Sequence, residues 1–452
     1  MHKSLLPNLN NCSVAVIGLG YVGLPLALKI SENNNCLLTN SQIRRKVIGY
    51  DFDLNRIRQL EKGIDRNKVF KKEDLKNNTS LKYTNDINLL KDVDVFIVTV
   101  PTPINNENEP DLYFIKSASE TVGKSINFQN TKNDNQIIIY ESTVYPGLTE
   151  DICVPILEKY SDKKFNKLDY KRTFYCGYSP ERINPGDGKN TLESIVKVTS
   201  GSNEIIANWV DSFYGSFIKA GTFKAKSIKV AEAAKVIENT QRDINIALVN
   251  ELSILFNKLN INTNDVLNAA GTKWNFHKYK PGLVGGHCIG VDPYYLAYKA
   301  NEIGFNTKLI SAGRNINDFM HEYLFKQILL KIGYRKKIFE KERVLILGVT
   351  YKENSADMRH SQIINLLENL ENNNMEITVV DPLVDPELFF SITGINVHKY
   401  IPNKKKYSII IFALAHNEFE NIKKNKIEKL SYQETIVFDL TNKLNGENIF
   451  HL

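Results

Sequence analysis

Cys288 is the residue whose type and setting best suit covalent chemistry. It stands in Pro281-Gly-Leu-Val-Gly-Gly-His-Cys-Ile-Gly-Val-Asp-Pro293, among Gly282, Gly285, Gly286 and Gly290. Glycine admits positive φ and lets a ligand come close to the backbone, so this loop reads as one that presents a sulfur to a bulky partner. Asp292-Pro293 reads as a helix N-cap and first helical position. A thiol just ahead of a helix start feels the positive end of the dipole, which favours the nucleophilic thiolate. The plainer alternative is a glycine-rich turn with an incidental, buried Cys. The loop alone leaves both open.

A second group lies upstream. Glu232, Lys235, Asn239 and Arg242 recur at intervals of three and four and would share one helix face. Lys235 and Asn239 on consecutive turns could face a site. The alternative is a solvated stripe with a Glu232–Lys235 ion pair. A third group is Ser13-Val-Ala-Val-Ile-Gly-Leu-Gly-Tyr-Val-Gly23, an apolar strand running into G-x-G-x-x-G and a helix-forming stretch. Here Gly18 makes the tight turn, Gly20 lets a pyrophosphate approach, and Gly23 lets helix and strand pack. Asp51 ends the next strand, Lys46-Val-Ile-Gly-Tyr-Asp51, delayed by the polar insertion 33–45. A carboxylate there accepts from a ribose diol and repels a 2′-phosphate, so NAD is expected rather than NADP. Thr102 and Thr143 follow two further apolar stretches, at the strand edge where open α/β sheets bind ligands; as hydroxyls they could equally serve turns.

These residues need a frame. Strands are expected within 94–103, 136–143, 173–181 and 194–199, completing a doubly wound domain. Residues 227–259 contain neither proline nor glycine and read as one helix of roughly 50 Å at 1.5 Å per residue, covered by other domains or subunits. Residues 341–452 repeat the alternating pattern, but Gly348-Val-Thr-Tyr-Lys-Glu353 lacks the glycine fingerprint. The expected fold class is therefore α/β: two Rossmann-like doubly wound domains joined by a long central helix and a helical middle domain. The expected boundaries are 1–215, 216–330 and 331–452. With 452 residues, a net charge of +7 and scattered lysines, the composition points to anionic small molecules rather than nucleic acid. The five cysteines form no CxxC pair, and neither a disulfide framework nor a structural zinc site is indicated. No stretch has the length of a signal peptide or membrane span, and a cytoplasmic setting is expected.

In this order, the fingerprint domain, the Glu-Ala-Ala-Lys235 helix, the Gly-Gly-His-Cys288 loop and the second Rossmann-like domain resemble the UDP-glucose/GDP-mannose dehydrogenase family over nearly the whole chain. Ser179-Pro-Glu-Arg-Ile-Asn-Pro-Gly-Asp187 and the Cys288 loop look like its branch acting on UDP-N-acetylhexosamines of surface-polysaccharide pathways. The resemblance implies NAD-dependent four-electron oxidation of a sugar C6 alcohol to a carboxylate, through a thiohemiacetal and a thioester on Cys288. It implies Lys235 and Asn239 as oxyanion donors, Asp292 with a Thr143-held water as acid/base, and Glu181 as the carboxylate aiding hydrolysis. The expected cofactor set is Gly18, Gly20, Tyr21, Val22, Gly23, Asp51, Arg56, Thr102 and Thr143. The expected substrate set is Glu181, Arg182, Lys235, Asn239, Lys280, Gly285, Lys352 and Arg359. Lys280 and Lys443 depart from the family's arginines, and an ammonium lacks the bidentate grip of a guanidinium on phosphate. A homodimer or higher homo-oligomer is expected.

The substrate expectation is a UDP-N-acetylhexosamine of gluco or galacto configuration, with UDP-glucose or UDP-N-acetylmannosamine as the alternative. By the same resemblance, Pro185 stands where the family's UDP-glucose enzymes usually carry a second acid, and Val291 where those of animal type carry a lysine, so charge is removed near the sugar. Other classes remain to be weighed. Tyr295-Leu-Ala-Tyr-Lys299 has the Tyr-x-x-x-Lys spacing of epimerases, but it lies far from the first domain and reads as packing and charge. A two-electron hydroxyacid dehydrogenase would need no cysteine. A non-catalytic sensor would need none of Lys235, Cys288 and Asp292. A metal is not expected; His277, His287 and Cys288 are the ligands a zinc site would have to use.

Overall fold

The computed structural model describes all residues except 1–5, 33, 68, 77, 128–134, 167–171, 184–190, 287–288, 336–338, 403–404, 423, 445 and 447–448. Cys288 and His287 thus lie outside the described residues. The chain divides into two compact units: Met1–Glu238 with Tyr294–Ile303, and Asn239–Pro293 with Gly304–Leu452. Residues expected as a helical middle domain, 216–330, contribute to both.

The first unit is built on strands β1 (Ser13–Ile17), β2 (Lys46–Tyr50), β3 (Leu81–Thr84), β4 (Val95–Val98), β5 (Asn135–Tyr140), β6 (Lys164–Phe165) and β7 (Thr173–Tyr178). They form one sheet in the order β3-β2-β1-β4-β5-β7-β6, with parallel pairings throughout. Parallel strands are covered on both faces, which is why β4 and β7 are buried at every position rather than at alternate ones. The order reverses between β1 and β4, and that is where a doubly wound sheet opens a crevice for ligand. The expected strand within 194–199 is real but belongs elsewhere. Strand β8 (Lys197–Thr199) pairs with β9 (Thr222–Lys224) in a separate two-stranded sheet. Short strands β3 and β6 carry too few apolar residues for the pattern to reveal them.

The second unit holds β10 (Arg343–Leu347), β11 (Glu376–Val380), β12 (Val397–His398), β13 (Tyr407–Phe412), β14 (Ser431–Asp439) and β15 (Ile449–Phe450). Their order, β12-β11-β10-β13-β14-β15, is again parallel throughout with a reversal beside the first strand. Its core joins Val344, Ile346, Ile409 and Ile411 of the sheet to Leu366, Leu367 and Leu370 of the helix Gln362–Asn372. The long helix spans Ile228–Lys258, within one residue of expectation at each end. Among the described residues no helix is long and apolar enough to cross a membrane.

Candidate active site

The fingerprint turn sits at the reversal point of the first sheet. Gly18, at φ +94°, donates its N–H to Tyr50 O at 2.8 Å. Leu19 N–H donates to Asp51 Oδ2 at 2.8 Å, and Asp51 Oδ1 accepts from Asp53 N–H at 3.0 Å. Asp51 therefore braces the turn as well as ending β2. A Cβ on Gly23 would lie 1.9 Å from Gly18 O, so only glycine allows the helix Gly23–Ser31 to approach β1 this closely. A Cβ on Gly20 would meet no protein atom within 4 Å, so that side of the loop is open. The helix start, at Val22, has no side-chain cap and no acid in its first turn, which suits an anion. These features fit a dinucleotide: pyrophosphate at Gly20 and the helix start, ribose at Asp51, whose oxygens retain lone pairs. Tyr21 and Val22 are half-buried in the turn, Thr102 is buried beyond β4, and Thr143 is half-buried beyond β5. Arg56 is fully buried. Its Nε donates to Leu19 O at 2.9 Å and its Nη2 pairs with Asp65 at 2.9 Å. It supports the fingerprint turn from the protein side.

Still in the first unit, Glu181 follows β7 and accepts from Ile183 N–H. Burial pushes its carboxyl above the ordinary value, against the pull of Lys235 and then Lys197. Arg182 is turned away to Glu238, which it grips with Nη2 at 2.8 Å and Nε at 3.2 Å. The expected Glu232–Lys235 stripe is not solvated. Glu232 is fully buried and accepts from Gly147 N–H at 2.5 Å and Thr149 N–H at 3.0 Å. It anchors the turn that follows Thr143, and burial raises its carboxyl to about 7. Lys235 is buried as well, at 5% exposure, whereas Arg242 is exposed and leaves that face. Contrary to the expected separation, Tyr294–Ile303 belongs to the first unit; there Tyr295 donates its hydroxyl to Pro103 O at 3.0 Å and Lys299 pairs with Glu302 at 3.0 Å, so the Tyr-x-x-x-Lys pair serves packing and charge.

In the second unit, Asn239 Nδ2 donates to Asp292 Oδ2 at 2.5 Å, with both residues buried. Asp292 lies inside the first turn of the helix Asp292–Glu302. The glycine loop ahead of it is held from several sides. Asn250 clamps Gly282 through Gly282 N–H to Oδ1 at 2.8 Å and Nδ2 to Gly282 O at 3.1 Å. Gln362 Nε2 donates to Val284 O at 2.7 Å, and Gly286 N–H donates to Arg359 O at 3.1 Å. A Cβ on Gly285 would come within 2.5 Å of His360 O, and one on Gly286, at φ +85°, within 2.6 Å of the Tyr351 ring. These glycines let the loop lie against the segment Tyr351–His360, a closer cause than approach by a ligand. Asn250 is in turn held by Asn317, which bonds Asp243, which pairs with Arg314 at 2.6 Å. Lys352 is half-buried beside Tyr351, Lys280 is exposed, and Arg359 is bound to Asp357. His277 is exposed, and no cluster of three metal-ligating side chains occurs among the described residues.

The two sheets share one device. Gly348, at φ +88°, donates to Val380 O at 2.9 Å, and Val349 N–H donates to Asp381 Oδ2 at 2.9 Å, as Gly18 and Leu19 do to Tyr50 and Asp51. In the second sheet the acid is covered: His416 Nε2 meets Asp381 Oδ2 at 3.1 Å, and both side chains are fully buried.

Three signatures match in the same order as these parts: the NAD binding domain of the UDP-glucose/GDP-mannose dehydrogenase family over residues 12–218, its central domain over 229–319 and its UDP binding domain over 345–446. The chain belongs to the UDP-glucose/GDP-mannose dehydrogenase family. Its cofactor is NAD. The dehydrogenase is 47% identical to UDP-N-acetyl-D-glucosamine 6-dehydrogenase of Pseudomonas aeruginosa, covering 96% of this chain and 97% of that one. It is 46% identical to the protein of the same name from Salmonella typhi, covering 97% and 98%. Among solved structures, UDP-D-ManNAc dehydrogenase from Pyrococcus horikoshii superposes with a TM-score of 0.82 at 27% identity, covering 97% and 98%. Several of the dehydrogenase's polar residues escape the pattern reading: Glu141, Lys197, Asp243, Asn250 and Gln362. Two signals point to some of them. Lys197 is a lone charge in an apolar strand, and Asp243 and Asn250 continue from Asn239 at intervals of four and seven.

Proposed function

We propose that this dehydrogenase oxidises the C6 alcohol of UDP-N-acetylglucosamine to the uronate, for surface-polysaccharide synthesis. The observation that carries the reading is its identity of 47% and 46%, over nearly full length, to two proteins of that activity, against 27% for the UDP-D-ManNAc dehydrogenase. The loss of charge at Pro185 and Val291 supports an acetamido sugar over glucose.

NAD supplies the hydride acceptor, one molecule for each oxidation. Asp292 takes the C6 hydroxyl proton as the alcohol becomes an aldehyde. The Cys288 thiolate adds to the aldehyde carbon and the oxygen takes back the proton from Asp292, which gives a thiohemiacetal. Asp292 takes that hydroxyl proton again as the second hydride leaves, and a thioester remains. Glu181 deprotonates a water that attacks the thioester carbon; the C–S bond breaks, the thiolate returns and the carboxylate leaves. Lys235 and Asn239, one turn apart on the long helix, donate to the oxyanion at each stage. The bond from Asn239 to Asp292 keeps the acid/base group in place. Lys352 is the substrate contact from the second sheet.

The test is NADH formed per sugar consumed, with kcat/KM for UDP-GlcNAc, UDP-GalNAc, UDP-ManNAc and UDP-glucose under one condition. Two NADH per sugar and a lead for UDP-GlcNAc are expected. One NADH per sugar overturns the four-electron reading, and a lead for another sugar overturns the substrate. The active state is at least a dimer through the long helix, where Ile237, Leu248 and Leu255 are 53%, 54% and 47% exposed. Light scattering that finds a monomer at micromolar concentration removes that claim.

A further inference from the structure

Behind Glu181 lies a buried ion pair with no part in the chemistry above. Lys197, at the start of β8, is 3% exposed, and Glu141, just after β5, is 1% exposed. Lys197 Nζ meets Glu141 Oε2 at 2.7 Å and donates to Pro180 O at 3.0 Å. The other Glu141 oxygen accepts from the Tyr214 hydroxyl, and Nζ lies 5.1 Å from the centre of that ring. The backbone around the pair holds the same peptide. Ser179 N–H donates to Tyr140 O at 2.9 Å, Ser179 Oγ to Val198 O at 2.7 Å, and Glu181 N–H to Glu141 O at 3.4 Å. The segment Ser179–Glu181 is thus gripped on one side by Tyr140–Glu141 and on the other by Lys197–Val198, with the lysine closing on the carbonyl just before Glu181.

A buried ion pair is a poor way to gain stability, because desolvation offsets the attraction and an apolar pair of similar volume often does as well. Its location supplies a better reason. We infer that Glu141 and Lys197 are positioning residues that fix the Glu181 backbone and set the ionisation of its carboxyl. The inference rests on Glu181 acting in thioester hydrolysis. The charged groups acting on Glu181 are Lys235 from the long helix, Lys197 from β8 and Glu141 from the end of β5, beside the Ile183 N–H. Arg182, next in sequence, is neutralised by Glu238. Lys197 favours the Glu181 carboxylate and Glu141 opposes it, so the intact pair leaves a balance that each member alone would tip in opposite directions.

That opposition is the test. The Glu181 carboxyl is titrated by infrared difference, each protein against its own Glu181→Gln counterpart, in wild type, Lys197→Met, Glu141→Gln and the double variant. The midpoint is expected to rise in Lys197→Met, to fall in Glu141→Gln and to return toward wild type in the double variant, which buries no unpaired charge. A purely structural role would lower rates without moving the two midpoints apart. Shifts in the same direction, or none, overturn the inference. If Lys197→Met does not fold, the fall in Glu141→Gln and its reversal in the double variant decide alone. Acid-product release is followed over the same pH range by rapid quench. If its acid limb ignores infrared shifts of opposite sign, the pair still sets Glu181, and it is the hydrolytic role of Glu181 that falls.

Discussion

Replacing Asn250 by alanine tests whether the glycine loop is held from the long helix. Asn250 is fully buried and makes three bonds: from Gly282 N–H, to Gly282 O and to Asn317 Oδ1. Alanine leaves all three partner groups without it. An unsatisfied buried group costs about 1–3 kcal/mol. The two Gly282 groups are half-buried and water can reach them, so each falls near the low end; the buried Asn317 oxygen falls nearer the middle. The expected loss is about 3–4 kcal/mol, felt first in the loop. Each 1.4 kcal/mol is tenfold, so amide exchange of the peptide spanning 282–286 should quicken by about two to three orders of magnitude. Mass-resolved exchange reads that peptide directly. NAD affinity should not change, because the fingerprint turn and Asp51 stand in the other unit, while uronate formation should slow with the loop that carries Cys288. Unchanged exchange at 282–286 would refute the clamp. Fast exchange with unchanged turnover would refute the claim that loop order matters to the reaction.

Glu232→Gln should alter the pH dependence of stability. The folded carboxyl, at about 7, binds its proton more tightly than the unfolded one, near 4.5. Its stabilisation is therefore fully present below pH 4.5 and is lost as pH rises to about 7, about 3 kcal/mol in all. Denaturant midpoints from pH 4.5 to 8 should fall across that window in wild type and stay flatter in the variant; parallel curves would exclude Glu232 as the cause. Cys288→Ser should leave NAD binding intact and abolish release of the uronate, because a serine alkoxide is far harder to form than a thiolate. Near wild-type uronate release would exclude the covalent route. Lys235→Ala should lower kcat about 10²–10³-fold, a rise of about 2.7–4 kcal/mol in activation free energy, with little change in KM, as for loss of an oxyanion donor; a raised KM at constant kcat would make the lysine a binding residue.

Much of this protein is legible in its sequence, and the reason is locality. The glycine spacing of the fingerprint, the close helix at Gly23 and the proline-free run of the long helix depend on residues within a few positions of one another, although Tyr50 and Asp51 brace the turn at Gly18 from the end of the next strand. Short-range sterics and hydrogen bonds decide those elements. The two parallel sheets follow from apolar runs separated by crossover lengths. Partnership is another matter. Only the tertiary structure decided that Glu232 anchors Gly147 and Thr149 rather than pairing with Lys235, and that Asn239 meets Asp292 across 53 positions of sequence. It likewise turned Arg182 to Glu238 and placed Asn250 against Gly282. The glycines around Cys288 show the division most plainly. Their spacing is visible in the sequence, yet the atoms that forbid a side chain at Gly285 and Gly286, His360 O and the Tyr351 ring, arrive from 65 or more positions away. A buried polar group takes whichever partner the fold brings within about 3 Å, and that distance is set by packing between elements, which no local pattern of residue types encodes.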